Sequence, residues 1–115
     1  MPAFPTIGRR ADFDALARSG VTSSCRLLVV RARRNDGEVT RIGMSTPRGL
    51  GGAVIRNRLR RRMREALRLR YRELAPGWDV LVSARVAARD ARFDDLGASL
   101  DRLLRRCGVL PPLSA

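Results

Sequence analysis

Residues 51–68 of the chain are GGAVIRNRLRRRMREALR, and this stretch decides the interpretation of the rest. At about 100° per residue, its apolar side chains fall in one sector of a helix and most of its arginines fall opposite. We therefore predict a long helix over residues 53–74 that docks through one face, exposes cations on the other and is stopped by Pro76-Gly77. The predicted core face comprises Ile55, Leu59, Met63, Ala66, Leu67 and Leu74.

The charge on this helix is costly unless a polyanion neutralises it. Arginine pairs spaced i,i+4 repel by roughly 0.2–0.5 kcal/mol each before screening. A helix face that is merely solvated usually mixes charges of both signs, whereas residues 51–74 offer only Glu65 and Glu73 as acids. The pattern favours an RNA partner over an inert solvated face. The repelling pairs are Arg56–Arg60, Arg58–Arg62, Arg60–Arg64, Arg64–Arg68 and Arg68–Arg72.

The composition fits a single nucleic-acid-binding domain, residues 1–115. A chain of this length and 44% hydrophobic content can bury one core. Its net charge of +13, from 24 basic and 11 acidic residues, favours nucleic acid because neutralised phosphates release counterions. All the basic residues are arginine. Bidentate phosphate binding explains that choice, and so does the codon bias of a GC-rich genome.

Several classes of function are disfavoured by what the chain lacks. It has no histidine, so imidazole acid–base or metal chemistry is excluded. Cys25 and Cys107 lack metal or redox spacing, and we expect free thiols in a reducing cytoplasm. Asp94 and Asp95, as neighbours on a helix, point about 100° apart. We expect no catalytic residue, no metal site, no signal peptide and no membrane contact.

The remaining elements follow from periodicity and turn residues. A first helix, Asp12–Arg18, has Asp12 as a possible N-cap and Gly20 at its end. Two strands joined by a turn at residues 35–37 are predicted to form a hairpin. We expect residues 1–8 and 109–115 to be loose. The predicted strands are Cys25–Ala32, Val39–Thr46 and Asp79–Ala84, and the closing helix is Phe93–Arg106.

The basic stretch resembles the signature of the bacterial ribonuclease P protein component. That signature is a lysine pair, Val-Gly, a variable residue, Ala-Val, a variable residue, then Arg-Asn-Arg and a basic continuation into Arg-Glu-Ala. Residues 48–66 follow it closely, and the resemblance extends to residues 12–13, 41–45 and 79–85. The chain departs from it at Gly49, where the second lysine is usual, and at Pro47.

The resemblance implies a fold and a function. The fold is an α+β two-layer sandwich with three helices and a four-stranded mixed sheet, in the order α-β-β-β-α-β-α. Its crossover around the arginine-rich helix would be left-handed, against the general rule, and its extra strand would lie between Ser19 and Cys25. The function is that of a protein subunit that assists a catalytic RNA in removing the 5′ leader from precursor tRNA. The RNA would require Mg²⁺, with no cofactor bound by the protein and no obligate protein partner.

The resemblance also implies which residues bind RNA. With only 4% aromatic residues, and with Ala17 and Val30 where relatives often have aromatics, the cleft should hold the leader more by charge than by stacking. Phe13 has the alternative role of a core residue, and Asn57 that of a local cap. The implied ribozyme contacts are Arg48, Arg56, Asn57, Arg58, Arg60, Arg61, Arg64 and Arg68, and the implied leader cleft comprises Phe13, Ala17, Val30, Ser45 and Arg64.

Other kinds of partner fit the sequence less well. A general RNA-binding or ribosome-associated module has the same charge pattern but would not depend on a ribozyme. A membrane-surface helix would need Trp or Phe on its apolar face. A DNA-binding helix-turn-helix is disfavoured because Pro76-Gly77 leads into a strand.

Overall fold

The computed structural model describes residues 4–112 and has the predicted α+β order. Short 3₁₀ turns occupy residues 48–50, 71–73 and 86–90. The resemblance correctly implied a strand between Ser19 and Cys25, which is β1. The elements are α1 (Arg10–Ser19), β1 (Val21–Ser24), β2 (Leu28–Arg34), β3 (Arg41–Ser45), α2 (Ala53–Arg70), β4 (Trp78–Ala84) and α3 (Phe93–Cys107).

The sheet is mixed, with strand order β1-β2-β4-β3. β1 and β4 each pair antiparallel with β2, while β3 runs parallel to β4. The predicted hairpin joined the strands that correspond to β2 and β3. It is wrong, because β4 lies between these two strands in the sheet. All seven residues of β2 pair with β4, from Leu28↔Ala84 to Arg34↔Trp78. The turn residues marked where the chain reverses but did not determine which strand β2 would pair with.

One face of the sheet carries the main core. Side chains alternate along β2, so Leu28, Val30 and Ala32 are buried on this face. The predicted core face of the basic helix is confirmed, since Leu59, Met63, Ala66 and Leu67 of α2 join the same core as the leucines of α3. α2 ends at Arg70, earlier than predicted, and the following turn is 3₁₀.

α1 packs on the opposite face of the sheet, against β2 and β4. Its Leu16 is buried outside the main core, and Phe13 lies against Gly43. The residue preceding the helix is Arg9, so the predicted N-cap role of Asp12 is wrong. Asp12 lies in the first turn instead and bonds to Arg41. The helix ends at Gly20, as predicted.

The described parts of both ends are packed, contrary to the expectation of loose termini. The amide of Ile7 donates to Ile42 O (3.1 Å), and the amide of Ile42 donates to Pro5 O (2.9 Å). These bonds occupy backbone groups on the outer edge of β3, which would otherwise be unpaired. At the other end, Val109 is fully buried and accepts a 2.7 Å bond from the amide of Ala75. Residues 1–3 and 113–115 lie outside the described part.

α2 connects two parallel neighbours, β3 and β4. This connection is the crossover implied by the resemblance, and its left-handed sense stays a prediction. Over residues 4–112, none of the helices has the length and apolarity needed to cross a bilayer.

Candidate nucleic-acid interface

The outer face of α2 presents arginines to solvent. Arg58, Arg61 and Arg64 are exposed, and within residues 4–112 none of them forms an ion pair. Arg68 is also exposed but bonds to Glu65, with 2.6 Å between Nη2 and Oε1. This hydrogen bond raises the pKa of Arg68 and lowers that of Glu65. The face thus keeps most of its positive charge available to a partner.

The other predicted ribozyme contacts lie at the start of α2 and just before it. Arg48 and Asn57 are exposed, whereas Arg56 and Arg60 are half-buried. The Nε of Arg56 is buried and, among the described residues, has no hydrogen-bond partner. Arg56 is therefore a cation whose donor groups are incompletely satisfied within the protein.

Two arginines of α2 serve the fold instead. Arg62 Nη2 donates to Ala91 O at 2.7 Å. Arg70 Nε lies 2.7 Å from Asp101 Oδ1 of α3, and its Nη1 donates to Ala66 O. These contacts fix the inner edge of α2 against its neighbours. Arg62 and Arg70 thus differ in role from the outward-facing arginines.

The first turn of α2 adds to the positive potential. Gly52 precedes the helix and offers no side-chain cap, and the first turn carries no acidic residue. Unpaired amides at a helix start attract anions. Two residues before the helix, Gly51 has a φ of 143°, and a Cβ there would lie 2.9 Å from Ile55 Cδ1. The backbone at position 51 therefore favours glycine.

A second region lies between α1 and the sheet and holds part of the predicted cleft. Phe13 is half-buried there, and a Cβ at Gly43 would lie 2.8 Å from Phe13 Cε1. Ser45 projects on the same face as Gly43 by strand alternation, and its hydroxyl lies 2.8 Å from that of Ser83. Ala17 is exposed on α1. Phe13 thus packs on the sheet outside the main core, with part of its surface accessible.

Val30 does not belong to this cleft. It is fully buried in the core on the opposite face of the sheet, because alternation places it with Leu28 and Ala32. The β2 residues on the α1 face are Val29, Arg31 and Arg33, all half-buried. Arg31 was missed, although the alternation of apolar residues at 28, 30 and 32 signals its orientation.

Arg64, the fifth predicted cleft residue, lies on the outer face of α2. Within the described residues, no side-chain hydrogen bond or ion pair connects it to the α1 side of the sheet. Its place in the cleft stays a prediction.

A cluster around Arg41 joins α1 to the sheet and was also missed. Arg41 Nε and Nη2 bond to the two carboxylate oxygens of Asp79 at 2.9 and 2.6 Å. Its Nη1 lies 3.3 Å from Asp12 Oδ2. Asn35 Nδ2 also donates to Asp79 Oδ1, at 3.0 Å. The bond to Asp79 is the main reason that the pKa of Arg41 is raised.

The two cysteines are free, as predicted, and differ in environment. Burial raises the pKa of Cys107. Burial also acts to raise the pKa of Cys25, but hydrogen bonds involving the backbone of Leu27 and Leu28 and the side chains of Ser99 and Arg102 outweigh it, so that the pKa of Cys25 is lowered. Among residues 4–112, no group of three or more acidic or cysteine side chains is arranged to hold a metal ion.

Comparisons with known proteins agree with the fold. The sequence profile of the family Ribonuclease P matches residues 1–108. The ribonuclease P protein component of Roseiflexus castenholzii is 42% identical over 100 residues, covering 86% of this chain and 82% of that relative. The solved RNase P protein of Staphylococcus aureus superposes with a TM-score of 0.83 at 29% identity, over 91% of this chain and 96% of that one. The RNase P protein of Thermotoga maritima gives 0.80 at 28% identity, over 88% and 96%.

Proposed function

This chain belongs to the ribonuclease P protein family, and on that premise we propose that it helps a catalytic RNA to remove the 5′ leader from precursor tRNA. The outer face of α2 carries the proposal. Arg58, Arg61 and Arg64 are held in register by a helix whose other side is buried in the core. A rigid row of cations suits a phosphate backbone, since no ordering of the helix is needed on binding.

The ribozyme RNA binds along α2 in this proposal. The unpaired arginines neutralise phosphates of the folded RNA, and the uncapped start of the helix adds its amides. Arg56 and Asn57 lie in the first turns, where Arg56 has an unsatisfied buried Nε. The same contact is extended by Arg48 before the helix, by Arg60 on its flank and by Arg68 near its C-terminal end.

The leader lies in the cleft between α1 and the sheet. Phe13 offers one aromatic surface there, Ser45 offers a hydroxyl, and Ala17 lines the α1 side. Stacking is worth about 1–3 kcal/mol per base, so a cleft with one aromatic depends on charge for the remainder. We add Arg31 to this cleft, because it faces α1 from the centre of the sheet, and we remove Val30 from it.

The chemistry belongs to the RNA and its Mg²⁺. The described part of the protein lacks a cluster suited to a metal ion, and the chain has no histidine. In this proposal the protein contributes binding energy and neutralises repulsion between RNA segments, and the catalytic groups belong to the RNA. In this proposal the protein also acts in the cytoplasm and needs no further protein partner.

Reconstitution tests the proposal directly. Purified protein, a bacterial ribonuclease P RNA and a precursor tRNA are mixed over a series of Mg²⁺ concentrations, and the released 5′ fragment is measured. We expect no cleavage by protein alone, and cleavage by the RNA at lower Mg²⁺ once protein is present. A matched control replaces Arg58, Arg61 and Arg64 with Gln, which leaves the buried side of α2 intact.

Each contrary outcome has a defined meaning. Cleavage by RNA-free protein that survives rigorous purification would refute the assignment of chemistry to RNA. Tight RNA binding with no change in the Mg²⁺ requirement would favour the alternative, a general RNA-binding or ribosome-associated module.

A further inference from the structure

The Arg41 cluster connects the helix that carries Phe13 to the centre of the sheet. Arg41 lies on β3, directly beside its parallel partner Asp79 on β4. Asp79 is nearly buried, with 5% of its side chain exposed, and it also accepts a bond from Asn35. The guanidinium plane of Arg41 is thus fixed by the two bonds that it donates to a carboxylate that is itself held in place.

The third nitrogen of this fixed guanidinium reaches α1. Arg41 Nη1 lies 3.3 Å from Asp12 Oδ2, and Asp12 immediately precedes Phe13 in the first half of the helix. Phe13 in turn contacts the backbone at Gly43, two residues after Arg41 on the same strand face. The ion pair and the aromatic contact therefore attach the same turn of α1 to the same strand.

We propose that Arg41 and Asp12 are positioning residues for the leader cleft, which hold α1 at the height above the sheet that Phe13 requires. Neither residue contacts the leader; both act through Phe13. The proposal deepens the proposed function and rests on it, because it concerns the same cleft. Gly43 belongs to the same device, since a side chain there would displace the Phe13 ring.

One substitution distinguishes a positioning role from a purely electrostatic role by the direction in which it changes the affinity for the leader. Asp12→Asn removes a negative charge close to a site proposed to bind a polyanion. If Asp12 acted only through its charge, this change would strengthen leader binding. If Asp12 holds α1 in place, the change weakens binding, because the cleft loses its fixed width while Arg41 stays bonded to Asp79.

The experiment compares leader-bearing precursor tRNA with leaderless tRNA, both bound to the reconstituted complex of protein and ribonuclease P RNA. We expect Asp12→Asn to lower the affinity for the leader-bearing substrate by roughly three- to tenfold. Binding of leaderless tRNA, assembly with the ribozyme RNA and the rate at saturating substrate should stay unchanged. Asp101→Asn is the matched control, since it makes the same chemical change in a different ion pair, between Arg70 of α2 and Asp101 of α3 (2.7 Å).

A double-mutant cycle with Phe13→Ala tests the route of action. We expect Asp12→Asn to have no further effect once Phe13 is absent, because both changes remove the same contact. Additive losses would overturn the proposal and indicate that Asp12 acts on the leader independently. Tighter leader binding by Asp12→Asn, or an equal loss with Asp101→Asn, would also overturn it. If the wild-type complex does not distinguish the two substrates, the proposed leader cleft itself fails.

Discussion

Two regions of this protein use arginine in opposite ways. On the outer face of α2, Arg58, Arg61 and Arg64 are exposed and have no acidic partner among the described residues. Below α1, Arg41 uses Nε and both terminal nitrogens on two carboxylates. The residue type is the same, and the positions of the aspartates decide the outcome. At Arg41 the acidic neighbours fix the side chain within the fold, whereas Arg58, Arg61 and Arg64 present their charge to solvent.

The largest expected effect comes from removing the acid at the centre of the Arg41 cluster. Asp79→Ala should lower the free energy of unfolding by about 2–4 kcal/mol, because Arg41 and Asn35 both lose their acceptor in a partly buried site. Urea unfolding at neutral pH measures this change. Asp36→Ala, at an exposed position in the nearby loop, is the control and should change stability little. A loss below about 1 kcal/mol would make the cluster an ordinary surface ion pair.

An intermediate effect is expected on RNA affinity, with stability unaffected. Arg58→Ala or Arg64→Ala should each reduce the salt dependence of ribozyme binding, changing the slope of log affinity against log salt by roughly 0.7–0.9. The free energy of unfolding should change by only a few tenths of a kcal/mol, since each substitution also relieves repulsion between arginines along the helix. Arg106→Ala, on the exposed side of α3, makes the same change in net charge and should leave the slope unchanged. Unchanged slopes in both α2 variants would show that these arginines do not bind phosphate.

The smallest effect concerns Arg68, which lies between the two categories. The hydrogen bond from Arg68 lowers the pKa of Glu65 below its ordinary value of 4.5. A carboxyl with a depressed pKa stabilises the folded state above its unfolded pKa, and this contribution is lost as the pH falls through the folded value. Because both side chains are exposed, the contribution is small and screened by salt.

Glu65→Gln tests whether the stabilisation by the Glu65–Arg68 pair is lost as the pH falls. The difference between variant and wild type in urea midpoint should be small at pH 7 and should shrink as the pH falls below 4.5, the ordinary pKa of the Glu65 carboxyl. The same change should tighten RNA binding, because it frees Arg68. A difference that grows on acidification would contradict the assigned role of the pair.

The sequence predicted best what depends on local periodicity. The buried face of α2, with Leu59, Met63 and Leu67, follows from the helical repeat alone, and so does the exposure of Arg58 and Arg61 on the other side. Strand pairing could not be predicted in this way, because β4 is distant in sequence from β2 and still separates it from β3. The turn at Asn35 was real, but its side chain bonds to Asp79, which no local pattern indicates.

For the candidate site, too, local features were predicted and nonlocal ones were not. Outward arginines of α2 were identified correctly as exposed, whereas Val30 was placed by resemblance on the wrong face of the sheet. The alternation of Leu28, Val30 and Ala32 contained the information needed to avoid that error. The Arg41–Asp79 pair could not be found, since it depends on β3 lying parallel to β4. The packing of the two ends was not predicted, because Ile7 and Val109 are buried through contacts with residues that are distant in sequence.

The position of β4 in the centre of the sheet has a consequence for synthesis of the chain. A ribosome delivers β1, β2 and β3 before β4, so the first two can form their hairpin while β3 still lacks its neighbour. The arginine-rich helix emerges earlier than the strand that completes its docking surface, and residues 78–84 must follow before the sheet can close. Nonlocal strand pairing of this kind slows folding. A nascent chain halted before Trp78 would therefore expose a strongly cationic segment with no finished core beneath it, in a compartment crowded with ribosomal RNA.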